Sequence, residues 1–122
     1  MARILIVDDS TFACARLKIL FESGGHEVVG HTEEAEQALS LFKSLHPELV
    51  TLDYMMGVKS GEAVLKEIIK HDPSAKVIMI SGSNDPAIEE RVLQAGAKSF
   101  VEKFNSKEEI LKVVDQVMAG IL

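Results

Sequence analysis

The chain has 122 residues, of which 47% are hydrophobic and 26% charged, which suits one domain over residues 1–122 with a single substantial core. A net charge of −6 argues against nucleic acid and against an anionic membrane surface, both of which are held by clusters of Lys and Arg. One cysteine, Cys14, excludes an internal disulfide framework, and the apolar run before Asp8 and Asp9 is too short for a secretory signal or a membrane span, so a cytoplasmic location is expected.

Short apolar runs alternate with helix-period stretches along the whole sequence. Ile4 to Val7 is uninterruptedly apolar, the pattern of a strand buried on both faces. From Thr11 to about Ser23, Ala13, Leu17, Leu20 and Phe21 fall at helical spacing, and Gly24-Gly25 ends the helix. Cys14 has no base pattern around it and reads as a small apolar or surface residue rather than a reactive thiol. Glu27 to His31 is a second strand. Glu34 to Leu45 is a second helix, with Ala35, Ala38, Leu39, Phe42 and Leu45 inward, and Pro47 marks the loop after it. Leu49 to Leu52 is a third strand that ends at Asp53. Gly61 to about Lys70 is a third helix, broken by Asp72-Pro73. Val77 to Ile80 is a fourth strand, ending at Ser81-Gly82. Pro86 opens a fourth helix that runs to Ala95 and is closed by Gly96. Ser99 to Val101 is a fifth strand. Ser106 caps a last helix, with Glu109 completing a capping box and Ile110, Leu111, Val114, Val117, Met118 and Ile121 on its apolar face. His26, His31, His46 and His71 stand singly, without ligand spacing, and read as surface residues.

Strict alternation of five strands and five helices predicts a doubly wound parallel sheet with right-handed crossovers. No linker, repeat or low-complexity segment interrupts it, and no output domain is expected after the last helix. Ligands of such sheets bind beyond the carboxyl ends of the strands. Those ends carry Asp8-Asp9, Asp53, Ser81-Gly82 and Lys103. Three carboxylates suit a hard cation such as Mg²⁺, which takes oxygen ligands and keeps several waters. An ammonium beside that cation can neutralise a phosphoryl group, and a hydroxyl next to glycine can hydrogen-bond it without blocking access. Asp8-Asp9 could instead be no more than a helix cap.

At these residues the chain resembles a known family. Ile4-Leu5-Ile6-Val7-Asp8-Asp9-Ser10, then Asp53-Tyr54-Met55-Met56 with Gly61, then Ser81-Gly82, then Phe100-Val101-Glu102-Lys103 are similar, in order and spacing, to the receiver domains of bacterial response regulators. The resemblance covers nearly the whole chain and implies the flavodoxin-like strand order 2-1-3-4-5. It implies that Asp53 accepts a phosphoryl group from a histidine kinase or a histidine phosphotransfer domain. Asp8 and Asp9 would hold Mg²⁺ (Mn²⁺ substituting), one directly and the other directly or through water, with the Met55 backbone carbonyl as a further ligand. Lys103 would pair with the phosphoryl group and Ser81 would move its hydroxyl toward it. Phe100 takes the aromatic switch position. The implied target-binding surface is Pro86 to Leu122, on a monomer or weak homodimer, in chemotaxis or another phosphorelay.

Two prolines of the family pattern are missing. Gly57 stands where proline usually follows the methionine, which frees the backbone there. Phe104 stands where the family usually has a cis proline. A cis bond before a non-proline residue costs about 3–4 kcal/mol, so a trans Lys103–Phe104 bond and some displacement of that loop are expected. Met55 and Ser83 occupy positions that tune attack of water on the acyl phosphate, and neither is a good general base, so a long-lived phosphorylated state is expected. An unphosphorylated pseudo-receiver is the alternative. A haloacid-dehalogenase-type phosphatase is disfavoured, because Met55 stands where such enzymes place a second acid and the sequence carries no cap domain.

Overall fold

The computed structural model describes residues 1–57 and 59–122. Its elements run β1 (Arg3–Val7), α1 (Thr11–Ser23), β2 (Glu27–Thr32), α2 (Ala35–Leu45), β3 (Leu49–Asp53), α3 (Gly61–His71), β4 (Val77–Ser81), α4 (Pro86–Gln94), β5 (Ser99–Glu102) and α5 (Lys107–Met118). All strand pairs are parallel and the order is β2-β1-β3-β4-β5, as the resemblance implies.

The two-residue period of the strands divides the interior into two layers. Leu5, Val7, Val50, Leu52, Val77 and Met79 face α2, α3 and α4, where they meet Ala38, Leu65, Ile68 and Val92. Ile4, Ile6, Leu49, Ile78, Ile80 and Val101 face α1 and α5, meeting Leu17, Phe21, Ile110, Val114 and Val117. Burial on both sides is why the central strands read as continuous apolar runs. The same alternation, carried one step past each strand end, decides where the polar residues go. Asp8 follows Ile6, and Asp53 follows Leu49 and Thr51, so both lie on the α1–α5 side. Ser81 follows Val77 and Met79 on the opposite side.

Local chemistry sets the helix ends. Ser10, not Asp8 or Asp9, caps α1, its hydroxyl accepting the Ala13 N–H at 3.1 Å. The left-handed residue after α1 is Gly25 (φ 87°), while Gly24 keeps a negative φ. Ser60 and Asp85 cap α3 and α4. At α5 half of the expected capping box forms. Ser106 Oγ accepts the Glu109 N–H, but the Ser106 N–H is already bonded to Asn105 Oδ1 at 2.8 Å. Ile121 does not extend the α5 face: the helix ends at Met118 and Ile121 is exposed. His26 is likewise not a surface residue. It is buried, accepting the Ala2 N–H on Nδ1 at 3.0 Å with Nε2 3.4 Å from Asp115 Oδ1, and so ties the start of β1 to α5.

One glycine is fixed by close approach. The Gly61 N–H donates to the Tyr54 carbonyl at 2.8 Å, and a Cβ on Gly61 would overlap the Asp53 carbonyl oxygen and lie 2.8 Å from Tyr54 Cα. The absence of a side chain lets α3 start directly against the end of β3. Gly61→Ala is expected to lower stability by about 1–3 kcal/mol in urea denaturation. Gly82→Ala, where a Cβ meets open space, should stay within about 0.5 kcal/mol of wild type. Similar losses in both variants would contradict the close-approach account.

Candidate functional site

Four strand ends deliver the site. Val7 pairs with Leu52 and Asp53 with Ile80, so β1, β3 and β4 stop at nearly one level. Asp8, Asp9 and Asp53 then each offer a carboxylate oxygen, all within 4.8 Å of one another. Asp8 and Asp53 are buried and Asp9 is exposed. From the end of β5, Lys103 Nζ lies 3.0 Å from Asp8 Oδ2, 3.2 Å from Asp8 Oδ1 and 3.4 Å from Asp53 Oδ2. Asp8 and Asp53 thus share one ammonium, with the Asp9 carboxylate beside theirs.

Small bonds hold each group. Asp8 Oδ1 accepts the Ser10 N–H at 2.9 Å and Asp53 Oδ1 accepts the Met55 N–H at 3.4 Å. The Lys103 N–H donates to the Ser81 carbonyl at 2.6 Å, which fixes the β5–α5 loop to β4. Arg16 of α1 adds a bond to the Lys103 carbonyl at 3.4 Å and lies 5.9 Å above the Phe104 ring. No cis bond occurs among the described residues, so Lys103–Phe104 is trans. Lys103 still reaches both buried acids.

Burial, then the neighbouring Asp8 charge, pushes the Asp53 carboxyl up to about 6, with Lys103 pulling the other way. Burial alone would lower Lys103, but the Asp8 and Asp53 carboxylates outweigh it and hold the ammonium above its ordinary range. Burial and the Asp8 charge also raise the Cys14 thiol to about 11, so it stays protonated, its Sγ donating to the Asp8 carbonyl at 3.3 Å.

The donor set suits a hard cation. Asp8 Oδ2 is buried, and although it stands 3.0 Å from Lys103 Nζ as an ion pair it has no aligned hydrogen bond. An acceptor oxygen with free lone pairs, beside two further carboxylates, is what a Mg²⁺ ligand requires. Met55, read as a carbonyl ligand, opens the loop after Asp53 with its side chain exposed. Ser81 is buried at the end of β4, its hydroxyl accepting the Ser83 N–H at 3.1 Å, and Gly82 is exposed. Phe100 is half-buried against the α2–α4 layer. It pairs with Met79, so Ser81 lies diagonally ahead of it on the same face. Gly57 has φ 63°, a conformation closed to proline, whose ring fixes φ near −65°.

Three features escaped the sequence reading. Arg16 is an ordinary helix position until the fold places Phe104 beside it. Thr51 Oγ1 is buried without a partner among the described residues, on the Asp53 side of β3, behind an alternation that looks like plain strand. Arg91 of α4 bonds Glu62 of α3 and the Tyr54 hydroxyl, residues far apart in sequence.

A carboxyl raised in the folded state contributes stability below its unfolded pKa and loses it as pH rises through the folded one. For Asp53 that window runs from 3.8 to about 6. In EDTA, Asp53→Asn should therefore be more stable than wild type at neutral pH by about 2–3 kcal/mol, and the gap should close as pH falls through that window. Urea denaturation at several pH values measures it. A gap independent of pH would contradict the burial and repulsion assigned to Asp53.

A family model described as response regulator receiver domain matches residues 4–115. The chain is 36% identical over 118 residues to protein CcdB of Bacillus subtilis, covering 97% of this chain and 98% of that one. It is 35% identical over 115 residues to chemotaxis protein CheY of Thermotoga maritima, covering 94% and 96%. In structure it matches CheY from Borrelia burgdorferi, described in a CheX–CheY–BeF3–Mg complex, with TM-score 0.87, 32% identity and coverage of 98% and 89%.

Proposed function

The chain belongs to the response regulator receiver domain family of two-component signalling, and on that premise we propose that it accepts a phosphoryl group on Asp53 and switches a partner-binding surface. The observation that carries this reading is the convergence of the Asp8, Asp9 and Asp53 carboxylates, with Lys103 Nζ against Asp8 and Asp53. A carboxylate oxygen of Asp53 attacks phosphorus. The P–N bond to the donor imidazole breaks, and the imidazole leaves with the bonding pair and takes up a proton.

Asp8, Asp9, Asp53 and the Met55 carbonyl would hold Mg²⁺, which supplies charge neutralisation for the incoming phosphoryl oxygens. Lys103 exchanges its Asp53 contact for a phosphoryl oxygen, and the Ser81 hydroxyl leaves the Ser83 N–H to donate to another. The donor is a phosphohistidine on a kinase or phosphotransfer domain. The exposed Phe12 and Phe104 flank a small pocket of about 80 Å³ that also touches Ser10 and Lys103. They offer such a donor apolar area at the rim of the site. The output surface is 86–122. No described helix is long and apolar enough to cross a membrane.

Incubation with acetyl phosphate or phosphoramidate and Mg²⁺, followed by intact mass, tests the acceptor. The expected result is one added phosphoryl group, dependent on Mg²⁺ and absent from Asp53→Asn. Fast hydrolysis could hide that product, so Mg²⁺-dependent beryllofluoride binding decides: no binding by wild type would sink the acceptor reading in favour of an unphosphorylated interaction module. Met55 exposes a thioether and Ser83 a hydroxyl, neither of which activates water. The acyl phosphate should accordingly decay over minutes rather than seconds without an added phosphatase. Decay within seconds would contradict that assignment.

A further inference from the structure

Among the helices, α4 is the most lightly held. It buries one side chain, Val92, whereas each of the others buries at least three. Ile88 adds a half-buried contact and Leu93 is exposed. A polar clamp stands beside these contacts. Arg91 donates through Nε to Glu62 Oε1 at 3.2 Å and through one terminal nitrogen to the same oxygen and to the Tyr54 hydroxyl, the last at 2.9 Å. Glu62 lies in the first turn of α3, where a negative charge is favoured, and its other oxygen is 3.2 Å from Lys66.

Tyr54 connects the clamp to the acidic site. It is the residue between Asp53 and Met55. Its N–H is bonded to the Ile80 carbonyl at 3.0 Å, its carbonyl to the Gly61 N–H at 2.8 Å, and its ring packs on the α2–α4 layer. The backbone that carries the phenol is therefore tied to the strand end that carries Asp53. In this same arrangement Lys103 is engaged by Asp8 and Asp53, and the Ser81 hydroxyl by Ser83. The clamp is therefore closed in the arrangement in which Lys103 holds the two buried acids.

We propose that the Arg91–Glu62–Tyr54 cluster is a latch that holds α4 against α3 and the end of β3, and that it opposes the rearrangement accompanying phosphorylation. This inference rests on the acceptor role given to Asp53. Because coupling between sites is reciprocal, a latch that stabilises one position of α4 must weaken binding of any group at Asp53 that favours another. Arg91 is largely exposed, so the effect is that of a surface ion-pair network and is modest in size.

The test combines amide hydrogen exchange of α4 with Mg²⁺-dependent beryllofluoride titration, in wild type, Arg91→Ala and Lys66→Ala. Arg91→Ala is expected to speed α4 exchange without beryllofluoride and to tighten beryllofluoride binding, each by about threefold. Lys66→Ala removes a contact to Glu62 that does not reach α4 and should change neither. Unchanged exchange and affinity in Arg91→Ala would overturn the latch, as would an equal effect of Lys66→Ala. Faster exchange with unchanged or weaker binding would overturn its coupling to Asp53. Should wild type fail to bind beryllofluoride, the acceptor reading and the coupling both fall, and exchange alone decides whether Arg91 holds α4.

Discussion

Two buried carboxylates facing one ammonium are the interaction on which the rest of the structure depends. Asp8 and Asp53 are 1% and 4% exposed and share Lys103. Like charges at this separation, with little water between them, repel strongly, and a single lysine does not cancel two acids and the nearby Asp9. The raised Asp53 carboxyl is the mark of that imbalance. The site opposes folding, and the apolar layers on both faces of the sheet must outweigh it. The same imbalance makes the site receptive to positive charge, because a cation relieves repulsion that is present before it arrives.

Holding such a cluster in place requires a backbone fixed from several directions. The parallel sheet brings the ends of β1, β3 and β4 to one level, and the absent side chain of Gly61 lets α3 begin against Asp53 itself. The β5–α5 loop lacks the proline of the family pattern, yet Lys103 reaches both acids. Two contacts account for this. The Lys103 N–H is bonded to the Ser81 carbonyl, and Arg16 bonds the Lys103 carbonyl while stacking over Phe104. A trans bond with an aromatic residue held from α1 serves here as the loop's anchor.

Most of the fold was legible because it rests on periodicity. Apolar runs marked the strands, helical spacing marked the faces of α1, α2, α3 and α5, and the rule that ligands sit beyond parallel strand ends selected Asp8, Asp9, Asp53, Ser81 and Lys103 together. What was not legible depends on contacts between distant residues. His26 reads as a lone polar residue until the Ala2 N–H and Asp115 meet it in the interior. Glu109 fits a capping box, but Asn105 occupies the donor it would have bonded. Ile121 fits the period of α5, but the helix stops before it. The replacement of proline by Gly57 reads as added freedom, whereas the structure shows a positive φ that proline could not adopt.

The alternation of the strands also sets the acidic cluster and α4 on opposite faces of the sheet. Asp8, Asp53 and Lys103 gather on the α1–α5 side of the sheet edge, while Ser81, Phe100 and Tyr54 follow the face that packs on α2, α3 and α4. Successive residues of a strand point to opposite faces, so Asp53 and Tyr54 are one peptide unit apart yet address different layers. Any event that displaces the end of β3 is therefore felt on both sides at once. On the far side it meets α4, the helix with the fewest buried side chains and an ion-pair clamp near its middle. A helix fixed mainly by apolar packing would resist a small displacement, because removing each large side chain from a core costs several kcal/mol. A helix fixed by Val92, a half-buried Ile88 and an exposed guanidinium can change position for much less.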